Sequence, residues 1–183
     1  MRYFALIDTE TNWADQVMSI GTVIADADTF EIVAVKYHVL PKECQIGGMY
    51  SDSVFLDIPF CPILCTREEA IRELKDWFAG LNITKIFAYN ANFDRGHLPE
   101  LQNFAWFDIM RLAAYRQYNP AIPDCADCFA TGRLKRGYGV EPMLRLLSGK
   151  PRYRETHNAV LDALDELSIM RLLGIAVCQY IPL

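Results

Sequence analysis

The chain is poor in the features that usually betray a binding or structural protein on inspection. No uninterrupted apolar run reaches the roughly 20 residues that a membrane span needs, which predicts a soluble protein. Positive charge is not in excess: the 183 residues carry a formal net charge of −5, which argues against a broad basic footprint for nucleic acid. Internal repeats, low-complexity tracts and linkers are lacking, so residues 1–183 are expected to form a single domain. No secretory leader is evident, because Met1-Arg-Tyr-Phe-Ala-Leu-Ile-Asp8 runs straight into a charged strand end. The six cysteines are therefore expected to be reduced thiols of a cytoplasmic protein rather than a disulfide framework. Cys125-Ala-Asp-Cys128 has the spacing of half a zinc site that Cys61 and Cys65 could complete, a weak signal because Cys-x-x-Cys is common.

What is present is a patterned chain, about half of it apolar, long enough for one full core. Residues 3–9 read as a buried strand. Residues 18–25 and 32–40 are rich in β-branched side chains, and Asp26-Ala-Asp-Thr-Phe-Glu31 between them predicts a hairpin turn. Three successive strands with short links predict an antiparallel meander. Over residues 41–65 the periodicity dissolves into a long surface excursion with Gly47, Gly48, Pro59 and Pro62. Thr66-Arg-Glu-Glu69 is a capping box, and the helix it opens carries Ile71, Leu74, Trp77, Phe78 and Leu81 on one face and should end near Gly80. Residues 85–89 and 104–108 predict two further short strands, separated by a turn and helix over 90–101. Helices are expected over 108–118, 140–147 and 157–173, with 119–135 irregular. The fold class expected is α/β: a mixed sheet, an antiparallel meander of three strands plus two further strands, flanked by helices.

Chemistry concentrates in acids placed at the ends of these elements. Asp8 and Glu10 are two apart on one strand and so project from the same face. Two like charges held that close call for a cation between them. Asn90-Ala-Asn-Phe-Asp94 follows a buried strand, so Asp94 sits in the first turn of the next helix, beside a sheet end where ligands of open α/β sheets bind. Taken alone, Asp94 is an ordinary helix-start residue favoured by the helix dipole. In His157-Asn-Ala-Val-Leu-Asp162 the two named residues are rotated apart by about 140° on a helix, so His157 is expected at or before the helix start with Asp162 pointing inward. Asp162 shares a helix face with Asp165 or Glu166. His38, inside a strand, and His97, beside Arg95, are expected to be ordinary core or surface imidazoles.

Charge is unevenly spread. Residues 133–154 hold seven basic side chains against Glu141 alone, a net of +6, which leaves −11 for the remainder. An acidic centre next to a basic segment suits a substrate carrying phosphates, although a solvated cationic loop would look the same.

Asp8-Thr-Glu10, Asn90-x-x-x-Asp94 and His157-x-x-x-x-Asp162, in that order between matching strands and helices, resemble the three motifs of the DEDDh, DnaQ-like 3′-to-5′ exonucleases. That family includes proofreading subunits of polymerases, RNase T and oligoribonuclease, and the resemblance spans residues 3 to about 174. It implies an RNase H-like fold and two divalent ions, Mg²⁺ or Mn²⁺, held by Asp8, Glu10, Asp94 and Asp162. It also implies His157 as general base, hydrolysis by two-metal chemistry, and release of nucleoside monophosphates from single-stranded DNA or short RNA. Substrate contacts are expected from Thr11, Trp13, Asn90, Arg152 and Arg154. Thr11-Asn-Trp13 stands where many relatives carry Thr-Gly, and Trp13 either stacks on a base or packs its loop onto the core. The partner implied is a single-stranded 3′ end, with a homodimer or a polymerase as further possibilities. A different class of reading is a polymerase-associated or regulatory nucleic-acid-binding module that keeps the exonuclease fold. A ribonuclease H-like endonuclease would share the acids but not need His157.

Overall fold

The computed structural model describes residues 2–183. The chain opens with β1 (Tyr3–Thr11), β2 (Val17–Asp26) and β3 (Ile32–Val39), each paired antiparallel to the next, as the β-branched runs require. A short helix α1 (Pro41–Cys44), a 3-10 turn (Ser51–Ser53) and a two-residue strand β4 (Ile63–Leu64) follow. The excursion over 41–65 is thus not wholly irregular. Its end returns to the sheet and pairs parallel to β3, adding a sixth strand to the expected five.

Helix α2 (Arg67–Gly80) starts at the expected capping box: the Thr66 hydroxyl accepts from the Glu69 amide while the Glu69 carboxylate accepts from the Thr66 amide. Its Ile71, Leu74 and Phe78 are buried, and Trp77 is partly so. Next come β5 (Lys85–Ala88), α3 (Asn92–His97), β6 (Ala105–Asp108), α4 (Met110–Ala113), α5 (Val140–Ser148) and α6 (Ala159–Leu173). The helix expected over 108–118 is only the four residues of α4. Beyond it, backbone groups turn to other partners: Arg116 donates to the Gly132 carbonyl, and Leu134 donates back to Ala114. The sheet order is β4-β3-β2-β1-β5-β6, with β5 and β6 parallel to β1.

Alternation along central β1 divides the core. Ala5 and Ile7 pack under α2 with Leu74, Phe78 and Ile86. Phe4 and Leu6 point to the other face, against Ala163, Leu167 and Met170 of α6 and Met143 of α5. Asp8 and Glu10 continue this second face, the one α6 covers.

Gly21 is paired directly opposite Asp8 and so shares its face. A Cβ at Gly21 would stand 2.1 Å from the Ala159 carbonyl oxygen and 2.3 Å from the Val160 nitrogen. The start of α6 therefore rests on bare backbone. We expect Gly21→Ala to destabilise by at least the roughly 1–3 kcal/mol typical of overpacking, because the obstructing atoms are backbone. Gly80→Ala, with nothing within 4 Å of the added methyl, should be neutral or stabilise by about 0.4–1 kcal/mol. Urea unfolding of both variants checks the contrast.

Candidate active site

The acids meet where β1 ends under the start of α6. The ligand atoms of Glu10, His157 and Asp162 all lie within 4.8 Å of one another. This is the one group of three or more potential metal ligands among the described residues. Asp8 and Asp94 flank it. The Thr9 hydroxyl, on the opposite face of β1, donates to Asp94 Oδ1 at 2.8 Å and so fixes the Asp94 carboxylate against the strand. Asp94, Asp162 and Glu10 are buried. Asp8 keeps some surface as a residue, but its Oδ2 has none.

Burial, and then the nearby Asp94, Glu166, Asp162 and Glu10, push the Asp8 carboxyl well above the usual carboxylate range. Burial followed by Glu155 and Asp94 raises Glu10 to about 8. Burial followed by Glu155 and Glu10 raises Asp162 to about 9. Asp94 rises only to about 7, because burial is opposed by the hydrogen bond from Thr9.

Glu166, one turn beyond Asp162, belongs to the same cluster. It is fully buried, accepts from the Tyr89 amide at 2.8 Å through Oε1, and is raised well above its ordinary value by burial and then by Asp94. Asp8 Oδ2, Asp162 Oδ1 and Glu166 Oε2 are shut off from solvent with no hydrogen-bond donor among the described residues. Buried carboxylate oxygens that repel one another and lack donors suit a hard divalent cation. Of these acids, Glu10 and Asp162 stand with His157 in the group close enough to share one ion, and Asp8 and Asp94 lie beside it.

His157 precedes α6, as its spacing from Asp162 predicts, in a left-handed conformation with φ of 54°. Such backbone costs of order 1–3 kcal/mol at a non-glycine residue and persists only where the surroundings hold it. Here the hold is tight. Ser53 Oγ donates to the His157 carbonyl, and the Tyr50 ring stacks on the imidazole at 3.9 Å between centroids and 16° between planes. The next residue, Asn158, caps α6 and donates to the Tyr37 hydroxyl at 3.1 Å and to the Ser53 carbonyl at 2.7 Å. Burial lowers the His157 pKa, opposed by Glu141, so the ring is biased toward its neutral, proton-accepting form.

A cavity of about 390 Å³ opens beside Glu10, walled by Thr9, Thr11, Asn12, Trp13, Asp15, Met49, Tyr50 and Phe93. Thr11 and Trp13 are brought to it. Asn12 pins the loop by accepting from the amides of Ala14 and Gln16 and donating to the Glu43 carbonyl. Trp13 itself is 69% exposed, so it does not pack its loop onto the core. A second cleft, about 560 Å³, shares Asp15 and Phe93 with the first and is lined by Arg67 and His97, away from the acids.

Asn90 has φ of 64° and an exposed side chain that does not line the acid-side cavity, while its amide donates to Asp108 at 3.0 Å. Arg152 and Arg154 are exposed, and Arg154 approaches Glu141 at 3.4 Å. His38 is buried on Glu73, and His97 pairs with Asp15 at 3.0 Å, both outside the acid group as expected. Cys125 and Cys128 do not converge with Cys61 and Cys65, so the four-cysteine zinc site is not formed among the described residues.

Thr9, Glu155, Tyr50 and Phe93 join the site without having been expected there. Glu166 was expected on the Asp162 face, four residues further along a core helix, and lies there. Tyr50 was not, because no local pattern reports a contact spanning more than a hundred residues.

No family model matches the chain, and no curated protein does. Solved structures do match. One is the nuclease domain of 3′hExo, a DEDDh family member, bound to rAMP, with a TM-score of 0.63 at 13% identity over 100% of this chain and 96% of that one. Another is a full-length 3′-exonuclease, with a TM-score of 0.64 at 12% identity, covering 100% and 90%. A third is E. coli exonuclease I with a dA16 oligonucleotide, with a TM-score of 0.61 at 13% identity, covering 98% of this chain and 42% of that one. The fold is thus that of the DEDDh-type exonucleases, as the motif order predicts. No helix among the described residues is long and apolar enough to cross a membrane.

The raised carboxylates fix the sign of a pH effect. Each binds a proton more tightly when folded than unfolded, so their contribution to stability is greatest below about pH 4. It drains away as pH rises through the folded values, about 7 for Asp94, 8 for Glu10 and 9 for Asp162. In EDTA the melting temperature is expected to fall between pH 5 and 9, and millimolar Mg²⁺ or Mn²⁺ should raise it far more at pH 8 than at pH 5. Glu166→Gln keeps an acceptor for the Tyr89 amide and removes a buried acid that must either stay charged or take up a proton on folding, so in EDTA at pH 8 it should melt above wild type. Differential scanning fluorimetry across pH reads both effects.

Proposed function

We propose that the protein is a metal-dependent 3′-to-5′ exonuclease that releases nucleoside monophosphates from single-stranded DNA or short RNA. One observation carries the proposal: an imidazole and two buried carboxylates converge within 4.8 Å at the edge of an aromatic-walled cavity whose volume suits a single nucleotide. The fold shared with exonucleases supports it.

The 3′-terminal nucleotide would occupy the cavity beside Glu10, its base against Trp13 or Phe93, which are 69% and 41% exposed. Thr11, at the irregular register where β1 ends, would meet its sugar. Two divalent ions held by Asp8, Glu10, Asp94 and Asp162 would supply an activated water and charge neutralisation at the leaving 3′ oxygen. His157 takes the proton from the attacking water. Its lowered pKa keeps it unprotonated at neutral pH, and the stacked Tyr50 holds its ring plane. Thr9 keeps Asp94 aimed at the centre. Asn90, Arg152 and Arg154 lie outside the cavity, and the two arginines suit phosphates further along the strand. A purely regulatory module gives no reason to hold His157 in a strained conformation beside two acids.

Digestion of 5′-labelled single-stranded DNA and RNA should give stepwise shortening from the 3′ end, abolished by EDTA. Asp8→Ala should lower the rate by at least a thousand-fold and His157→Ala by about 10²–10⁴-fold. In wild type the acid limb of the rate profile should fall below pH 6.5, because the His157 pKa is lowered. Intact 3′ ends under every metal tried would sink the proposal.

A further inference from the structure

The segment between α4 and α5 carries a feature that the catalytic centre does not use. Residues 129–138, Phe-Ala-Thr-Gly-Arg-Leu-Lys-Arg-Gly-Tyr, contain three cations and no acid. Asp127, just outside, pairs with Lys135 at 2.8 Å and leaves Arg133 and Arg136 uncompensated by any ion pair among the described residues. The Arg133 guanidinium lies over two rings at once, 5.0 Å from the centroid of Phe129 and 5.3 Å from that of Tyr138. Lys135 approaches Phe129 at 5.8 Å. Both rings are open to solvent, Phe129 at 45% and Tyr138 at 39%.

The layer is preorganised. Cys128 bridges Leu134, the Phe129 amide donates to the Arg133 carbonyl at 2.8 Å, and Gly132 donates to Phe129 at 2.9 Å. Buried Leu134 anchors the turn in the main core. The layer is also tied to the catalytic end of the sheet. The Tyr138 carbonyl accepts from the Tyr89 hydroxyl at 2.5 Å, and the Tyr89 amide donates to Glu166. Three residues after Tyr138, Glu141 accepts from the amide of Glu155, two residues before His157.

We infer that Phe129, Arg133 and Tyr138 form a stacking platform for the single strand upstream of the 3′-terminal nucleotide. The inference rests on the exonuclease reading above. Every nucleobase offers a π-face to an exposed ring, and a guanidinium between two rings can reach the adjoining phosphate. A protein partner would find two rings separated by a charge, with no continuous apolar patch. Single-stranded nucleic acid matches rings and cations in alternation.

The test measures 5′-fluorescein-labelled dT12 and U12 by anisotropy in EDTA, and hydrolysis of dT12 and the dinucleotide dT2 with Mg²⁺. The Phe129→Ala/Tyr138→Ala double variant should weaken 12-mer binding, and raise KM on dT12, by on the order of ten-fold or more. Turnover of dT2 should move less than about two-fold. Phe129→Trp should bind as wild type does, and Arg133→Ala should reduce the slope of log K against log salt by about one. Equal 12-mer affinity in the double variant and wild type overturns the platform, as does an equal loss on dT2 and dT12. If wild type cleaves nothing yet binds the 12-mers through these rings, the platform stands and the exonuclease reading falls. If it cleaves from the 3′ end and the double variant is indistinguishable from it, the reverse holds.

Discussion

The molecule depends on one close approach, that of α6 to bare backbone at Gly21. Because Gly21 lies opposite Asp8, the point where the helix seats on the sheet is the point where the strand presents its first acid. Any side chain there would lift α6, and with it His157 and Asp162, away from Glu10. The apolar contacts of Phe4, Leu6 and Val23 with Ala163 and Leu167 further along the same face give the helix its purchase. The convergence of Glu10, His157 and Asp162 is thus a by-product of ordinary layer packing, made tight at a single residue.

That packing stands against strong electrostatic resistance. Asp8, Glu10, Asp94, Asp162 and Glu166 are gathered in one desolvated place, and Glu155 adds its field from the rim. A core evolved for stability alone would not keep them together, since an unpaired buried charge is among the costlier defects a fold can carry. Gathered with several oxygens left without donors, they form a charge cluster that a divalent cation would neutralise.

Much of this was legible in the chain. Strand alternation placed Asp8 and Glu10 on one face, and the five-residue gap placed His157 ahead of α6. The capping box at Thr66 and the end of α2 at Gly80 followed from local chemistry. What escaped was tertiary. Residues 114–118 have helical composition, but the Ala114 carbonyl and the Arg116 amide are taken by the strap over 132–134. Strand β4 is two residues long and exists only because β3 offers it an edge. Tyr50 and Ser53 lie in a stretch without periodicity, and nothing local signals that they grip a residue more than a hundred positions away.

The grip of that stretch on His157 couples the cavity wall to the imidazole. Tyr50 is at once a wall of the cavity beside Glu10 and the surface on which the imidazole lies, while Ser53 bonds the carbonyl of the same histidine. One short loop therefore shapes the cavity and orients the imidazole. A substitution in the 50–53 loop would therefore disturb the cavity wall and the seat of the imidazole together.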